Sequence, residues 1–243
     1  MSAVTHGHLL NGRVRYAQPA QGFRSGIEPV LLAAAVAARS GQRVLEGGTG
    51  AGAGLLCLLT RVHGLEGVGI EIDPAQAQLA RANAAANALS AMSVVSGDIA
   101  TVVPDDMFDH AFANPPYHLA SGTPSPNPAR ATAKQGGTAV LTIWATALTQ
   151  PLRARGMLTF ILPAAGLPLC IAAMDAASCP VDAVLPLWPK SGVSAKLIVV
   201  RGIKGARGPM RLLPGLILHE SDGRFTAAAD AILREGAALS LDH

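Results

Sequence analysis

The residues best suited to chemistry fall at four points in the first half of the chain. "VLEGGTGAGAG" (residues 44–54) sets Glu46 ahead of glycines at 47, 48, 50, 52 and 54. Glycine lets a backbone turn sharply and approach a ligand with no side chain in between. Glu46, at the end of an apolar run, could accept from an ammonium group or position a water. Glu71 follows the glycines by about twenty residues, the distance at which an acid grips a ribose diol in nucleotide-binding sheets. Asp98 could accept from an adenine amino group while Ile99 covers the ring face, or could instead cap a helix. Asp73, directly before Pro74, reads as a helix cap. The fourth point is "FANPPYHLA" (112–120), where an apolar strand ends in Asn114-Pro115-Pro116-Tyr117 and not in a Gly or Asp turn.

That elbow suits one kind of chemistry. An amino group on adenine, or the nitrogen of a glutamine amide, is a poor nucleophile because its lone pair is delocalised into the adjacent π system. Two acceptors aimed at its two hydrogens favour a pyramidal nitrogen and turn the lone pair towards an electrophile. Asn114 can supply its side-chain oxygen and Pro115 its backbone carbonyl. Consecutive prolines lock φ, and Pro116 disfavours a helical Pro115, so the carbonyl's direction is fixed. Tyr117 offers a face on which a base can stack. No strong general base is required, because the nitrogen becomes acidic once alkylated. Positioning and electrostatic complementarity carry such a site, and near-attack geometry can contribute on the order of 7–11 kcal/mol.

Stepping from these residues to the elements that hold them, short apolar segments at 43–47, 67–71, 92–96 and 109–113 predict strands. Helical patterns at 53–63 and 74–89 lie between the first three, and "IEPVLLAAAVAARSG" (27–41) predicts a helix before them. This βαβαβ order predicts a parallel sheet with helices on both faces. Further on, a helix is expected near 138–153, a strand at 156–162, a helix near 165–177, strands near 182–187 and 195–201, and a closing helix at 225–237. Only "WPKSG" separates the last two strands, too short for a helical crossover, so they should form an antiparallel hairpin. The glycine turn, Glu71, Asp98 and the Asn114 elbow would then share the sheet's carboxyl edge, where open α/β sheets bind ligands.

Together these motifs resemble the class I methyltransferases that use S-adenosylmethionine. The resemblance matches Glu46 with Gly48, Gly50 and Gly52 to the family's first motif, Glu71 to the ribose-binding acid and Asp98 to the adenine-binding acid, and sets Ile72 and Ile99 among the cofactor residues. Asn114, Pro115, Pro116 and Tyr117 match the motif of amino-methyltransferases, with Asn114 bordering the cofactor as well. The implied fold is α/β: a Rossmann-like, seven-stranded, mostly parallel sheet with an antiparallel last strand and helices on both faces. Gly47 departs from the pattern, since the family usually has an apolar residue there. Over nearly its full length the chain is similar to bacterial tRNA adenine-N6 methyltransferases that act beside the anticodon of a valine tRNA, through "GFRSGIEPVLLAAA", "GIEIDPAQAQLARANAAAN" and the ending "LLPGLILHESDGRFTAAADAILR". The resemblance implies methyl transfer to the N6 amine of an adenine in tRNA. The alternative is N5-methylation of a glutamine amide in a protein such as a peptide release factor, whose enzymes share the second stretch and the Asn114 motif. Residues 1–41 are expected to pack on the cofactor site of a methyltransferase domain spanning 42–243, all as one globular unit. Arg24 to Glu28 would lie beside the pocket, with Glu28 equally suited to starting a helix.

Composition bounds the rest. With 50% apolar and 14% charged residues the chain can bury a full core, and a compact, helix-rich protein is expected, not a disordered one. The longest uncharged apolar stretch, Met157 to Met174, is broken by Pro163, Gly166 and Pro168 and predicts strand, loop and buried helix, with no membrane span. The N-terminus lacks the apolar core of a secretory signal, so a cytoplasmic protein is expected. Cys57, Cys170 and Cys179 show no metal-ligand spacing, so buried thiols and no metal are expected. The net charge of +3 is unevenly spread. Residues 110–174 and 183–219 carry no acid, and a polyanion would meet them there. Arg130, Lys134, Lys190, Lys204 and Arg207 are the candidate RNA contacts, with 118–137 a candidate lid over the acceptor.

Overall fold

A computed structural model of the chain describes residues 4–20, 26–102, 107–116 and 128–242, the side chains of 128–138 excepted. It opens with a hairpin of β1 (Val4–Leu9) and β2 (Val14–Pro19), paired antiparallel from Val4↔Pro19 to Leu9↔Val14. Then follow α1 (Glu28–Ala35), β3 (Arg43–Gly47), α2 (Ala53–Arg61), β4 (Glu66–Glu71), α3 (Pro74–Ala86), β5 (Met92–Ser96) and β6 (Phe108–Ala113). The second half contains α4 (Pro128–Thr149), β7 (Leu152–Pro163), α5 (Leu167–Ala176), β8 (Val181–Trp188), β9 (Leu197–Ile203), the short β10 (Arg211–Leu212) and β11 (Leu216–Ile217), and α6 (Ala227–Leu233).

The main sheet runs β10-β8-β9-β7-β6-β3-β4-β5, with β11 also on β8. β6, β3, β4 and β5 are parallel to one another and to β7, and β9 is antiparallel to both β7 and β8. The mostly parallel sheet with its antiparallel last long strand is the expected one. Its two faces follow from the two-residue period of a strand. Val44, Phe112, Ile161 and Val199 join a core with α1, α2 and α3, whereas Leu45, Ala111, Phe160 and Val200 join a second core with α4 and α5. Both faces of the central strands are covered, which is why most of their residues are buried, whereas the edge strand β5 alternates between buried and exposed.

Three features depart from expectation. The first hairpin went unpredicted, although its turn carries Asn11-Gly12 in the left-handed region at φ 52° and 89°, a turn signal visible in the sequence. β10 and β11 are too short to show a period. α4 starts at Pro128, ten residues before the expected 138, and passes straight through Gly136-Gly137. A glycine pair costs a helix only about 1 kcal/mol per residue, less than the packing that holds the helix down. Residues 128–137 of the candidate lid are therefore helical, and 118–127 lie outside the described residues. The apolar stretch 157–174 divides into β7, a 3-10 turn and α5. No helix among the described residues is long and apolar enough to cross a membrane.

Candidate active site

Strand register brings the four points together. Gly47 pairs with Ile70 on one side and Ala113 on the other, and Glu71 pairs with Ser96. The glycine turn, Glu71, Asp98 and Asn114 therefore leave one edge of four adjacent strands. Gly48, Gly50 and Gly52 have φ of 63°, 56° and 92°, a region closed to most side chains, and Gly52 starts α2. A Cβ on Gly48 would come within 2.6 Å of the Trp144 ring, so α4 packs flat against the turn. A Cβ on Gly50 would meet nothing within 4 Å, which leaves its Cα bordering open space. The room beside Gly47 is taken by Ile99 and Leu148, at 2.6 and 3.2 Å from a Cβ built there. Those side chains fill the place of the apolar residue that the family pattern has at this position.

Glu46 is 5% exposed. Its Oε2 accepts from the Thr49 hydroxyl and from the Leu55 N–H (3.1 Å). Burial pushes its pKa up to about 8, against the pull of those two bonds, and the Glu71 charge adds to the rise. Glu71 accepts from the Gly50 N–H (2.7 Å) on one oxygen and from the Asp73 N–H (2.9 Å) on the other. Each oxygen keeps a lone pair for a hydroxyl. Asp73 accepts from the Ala75 N–H (2.8 Å) and caps α3, as expected. Asp98 is exposed, and its Oδ1 accepts from the Ala100 N–H (2.9 Å), a turn cap that leaves Oδ2 for a ligand. Ile99, expected over a ring face, is only 6% exposed and belongs to the core beside Gly47. The apolar side chain open at this edge is Ile72, 66% exposed.

Asn114 lines one cavity together with Glu46, Gly48, Gly50 and, from beyond the predicted set, Tyr16 and Gln18 of β2. Its side-chain amide makes no hydrogen bond among the described residues. Pro115 is buried and Pro116 exposed, while Tyr117 lies outside the described residues. Pro29 and Leu32 of α1 reach the same cavity; Arg24 and Ser25 are outside the described residues, and Glu28 begins α1. Gln76 lines it as well, with a buried side-chain oxygen that has no partner among the described residues. Nothing in the sequence signals Tyr16, Gln18 or Gln76, because only folding carries β2 and the first turn of α3 to the glycine turn. An acceptor set of Glu46, Gln76 and Asn114, a free face over Gly50 and spare lone pairs on Glu71 fit a ligand that carries an ammonium and a diol.

The candidate RNA contacts do not converge. Arg130 and Lys134 fall in α4, their side chains outside the described residues. Lys190 follows β8 on the carboxyl edge, where its Nζ donates to the Ser221 carbonyl (3.0 Å). Lys204 and Arg207 follow β9, which runs the other way, so they emerge at the opposite edge from Asn114. Lys204 is occupied there, donating to the Gln150 (2.9 Å) and Leu152 (2.7 Å) carbonyls at the end of α4. Arg201, 2% exposed, is bound to Asp182 and Asp242. The acid-free span 183–219 is thus divided between two edges and a buried ion pair, and does not form one basic face.

Comparison with known proteins agrees with this geometry. Residues 28–134 match the model of the methyltransferase small domain. A tRNA1(Val) (adenine(37)-N6)-methyltransferase of Porphyromonas gingivalis is 34% identical over 151 residues, 58% of this chain and 59% of that protein. The chain therefore matches about three fifths of the length of this curated relative. A predicted O-methyltransferase from Agrobacterium tumefaciens superposes with a TM-score of 0.73 at 24% identity, over 89% of this chain and 100% of the other. A TehB-like SAM-dependent methyltransferase from Corynebacterium glutamicum superposes at 0.51 with 13% identity, over 74% and 89% of the two chains. The segment that gathers the glycine turn, both acids and the asparagine elbow on one sheet edge lies within the residues that match the methyltransferase small-domain model.

Proposed function

We propose that this protein transfers a methyl group from S-adenosylmethionine to the N6 amine of an adenine in tRNA. The observation that carries the reading is Asn114: its amide has no partner among the described residues, and it lines the cavity that holds Glu46 and the glycine turn. When bound, the cofactor supplies an electrophilic methyl on a sulfonium. In this reading Glu46 accepts from its ammonium, Glu71 holds the ribose hydroxyls, Asp98 accepts from the adenine amine and Ile72 covers the ring. Asn114 and the Pro115 carbonyl accept the two hydrogens of the target amine, and the proline pair keeps both acceptors from turning away. Tyr117 stacks the acceptor base, and residues 1–41 pack on the cofactor side of the 42–243 domain. A loop nucleotide is the cheapest base to bring out of its stack, which favours an anticodon-loop adenine. The P. gingivalis relative's name supports adenine in tRNA over a glutamine amide, and a tRNA substrate is consistent with a cytoplasmic protein.

The test uses S-adenosylmethionine labelled in its methyl group, with tRNA from a strain lacking the modification in one arm and purified release factor in the other. After digestion, N6-methyladenosine supports the proposal. Methylglutamine, or no labelled product from either arm, overturns it.

A further inference from the structure

α3 carries Asn83 and, at its C-cap, Asn87, four residues apart and both turned to β2. Asn83, 3% exposed, accepts from the Ala17 N–H (3.0 Å), and its amide nitrogen donates to the Ala17 (2.8 Å) and Ala51 (2.9 Å) carbonyls. Asn87 repeats the pattern on Arg15, accepting from its N–H (2.8 Å) and donating to its carbonyl (2.7 Å). The match is geometric: two residues advance a strand by about 6.6 Å and four advance a helix by about 6 Å. Side-chain amides at these positions stand in for the peptide groups of a neighbouring strand and close the outer edge of the hairpin.

The two asparagines differ in one respect. Asn87 spends its remaining N–H on the Asn83 carbonyl within α3 (2.8 Å), whereas Asn83 reaches Ala51, between Gly50 and Gly52. β2 in turn lends Tyr16, Gln18 and Pro19 to the cavity wall. One buried amide therefore joins the cavity's wall to the turn that forms its floor.

We propose that Asn83 is a positioning residue for the cofactor, locking the β2 wall and the Ala51 peptide of the glycine turn into one ligand-holding unit. The inference rests on the S-adenosylmethionine reading of the cavity. Without this amide, the Ala17 N–H and the Ala17 and Ala51 carbonyls lose a buried partner, and wall and floor move independently. Asn87 serves as the control, because it clamps the same hairpin without touching the turn.

Titration calorimetry of the full chain with S-adenosylmethionine, beside thermal melts, tests the idea. N83A should weaken binding by at least about tenfold, and N87A should stay within about threefold of wild type even if its melt falls as far. Equal losses in the two variants, or unchanged binding in N83A, overturn the inference while leaving the cofactor reading intact. A wild-type protein that does not bind S-adenosylmethionine overturns both. Should N83A not fold, hydrogen exchange of the wild type decides: the cofactor should slow amides of residues 14–19 together with 48–54, and slowing of 48–54 alone overturns the proposal.

Discussion

Glu46 keeps a buried carboxyl at the wall of the glycine-turn cavity, and burial raises its pKa to about 8. In the free protein it carries a proton at neutral pH, while an ammonium ligand prefers the carboxylate. Cofactor binding should therefore release close to one proton at pH 7, with affinity rising from pH 6 towards pH 8. Calorimetry in buffers of different ionisation enthalpy reads this directly; E46Q should abolish the release, and release persisting in E46Q contradicts the assignment. His110 has its pKa shifted in the other direction. It is 4% exposed, its Nε2 lies 3.2 Å from the Gln42 side-chain oxygen, its Nδ1 has no partner among the described residues, and burial lowers its pKa to about 4. The folded state thus holds the ring neutral, so its contribution is full above pH 6.5 and is lost as pH falls towards 4. That loss is about 2–3 kcal/mol. Denaturant unfolding at pH 7 and 4.5 should show a shallower acid loss for H110L than for wild type, and equal slopes would contradict it. At this scale Glu46, Glu71 and Asn114 were legible because each ends a strand and so carries its address in the local pattern. Gln76, Tyr16 and Asn83 were not, since their roles arise from contacts with segments distant in sequence.

The glycine turn depends on its neighbours as well as its own torsions. Gly48 and Gly50 both have positive φ, so alanine at either costs about 1–2 kcal/mol. Only at Gly48 would the methyl also meet Trp144, adding about 1–3 kcal/mol of overpacking. G48A should therefore melt clearly below G50A, and paired with W144A it should recover part of the difference; identical melts for G48A and G50A would contradict the packing. Most of the strands from β3 to β9 were readable because both of their faces are buried, the edge strand β5 because its residues alternate between buried and exposed, and Gly, Asp or Pro punctuates their ends. α4 was not, because Gly136-Gly137 reads as a break when only local propensity is weighed, and the helix is fixed by Leu141, Ala145 and Leu148 packed under the sheet. β1 buries little of its own surface, as the exposure along Val4–Leu9 shows, and the buried β2 beside it is tied to α3 by side-chain amides that no strand pattern encodes.

Across the whole molecule, charge counted along the sequence did not predict charge in space. β9 reverses direction and carries Lys204 and Arg207 away from the edge that holds Asn114, while Lys190 and Lys196 remain on it. Reversing both site-edge lysines (K190E with K196E) should raise the KM for tRNA by at least about tenfold and flatten its salt dependence, whereas R207E should leave both near wild type. Equal effects would mean that the substrate wraps around both edges. The central claim is that four adjacent strand ends place a rigid asparagine elbow where it acts on the acceptor amine and not on the cofactor. Calorimetry and single-turnover kinetics on N114A test it together. The account predicts that S-adenosylmethionine binds N114A within about threefold of wild type while methyl transfer to tRNA falls by at least about a hundredfold. Cofactor binding that collapses with turnover, or transfer that continues near the wild-type rate, would contradict it.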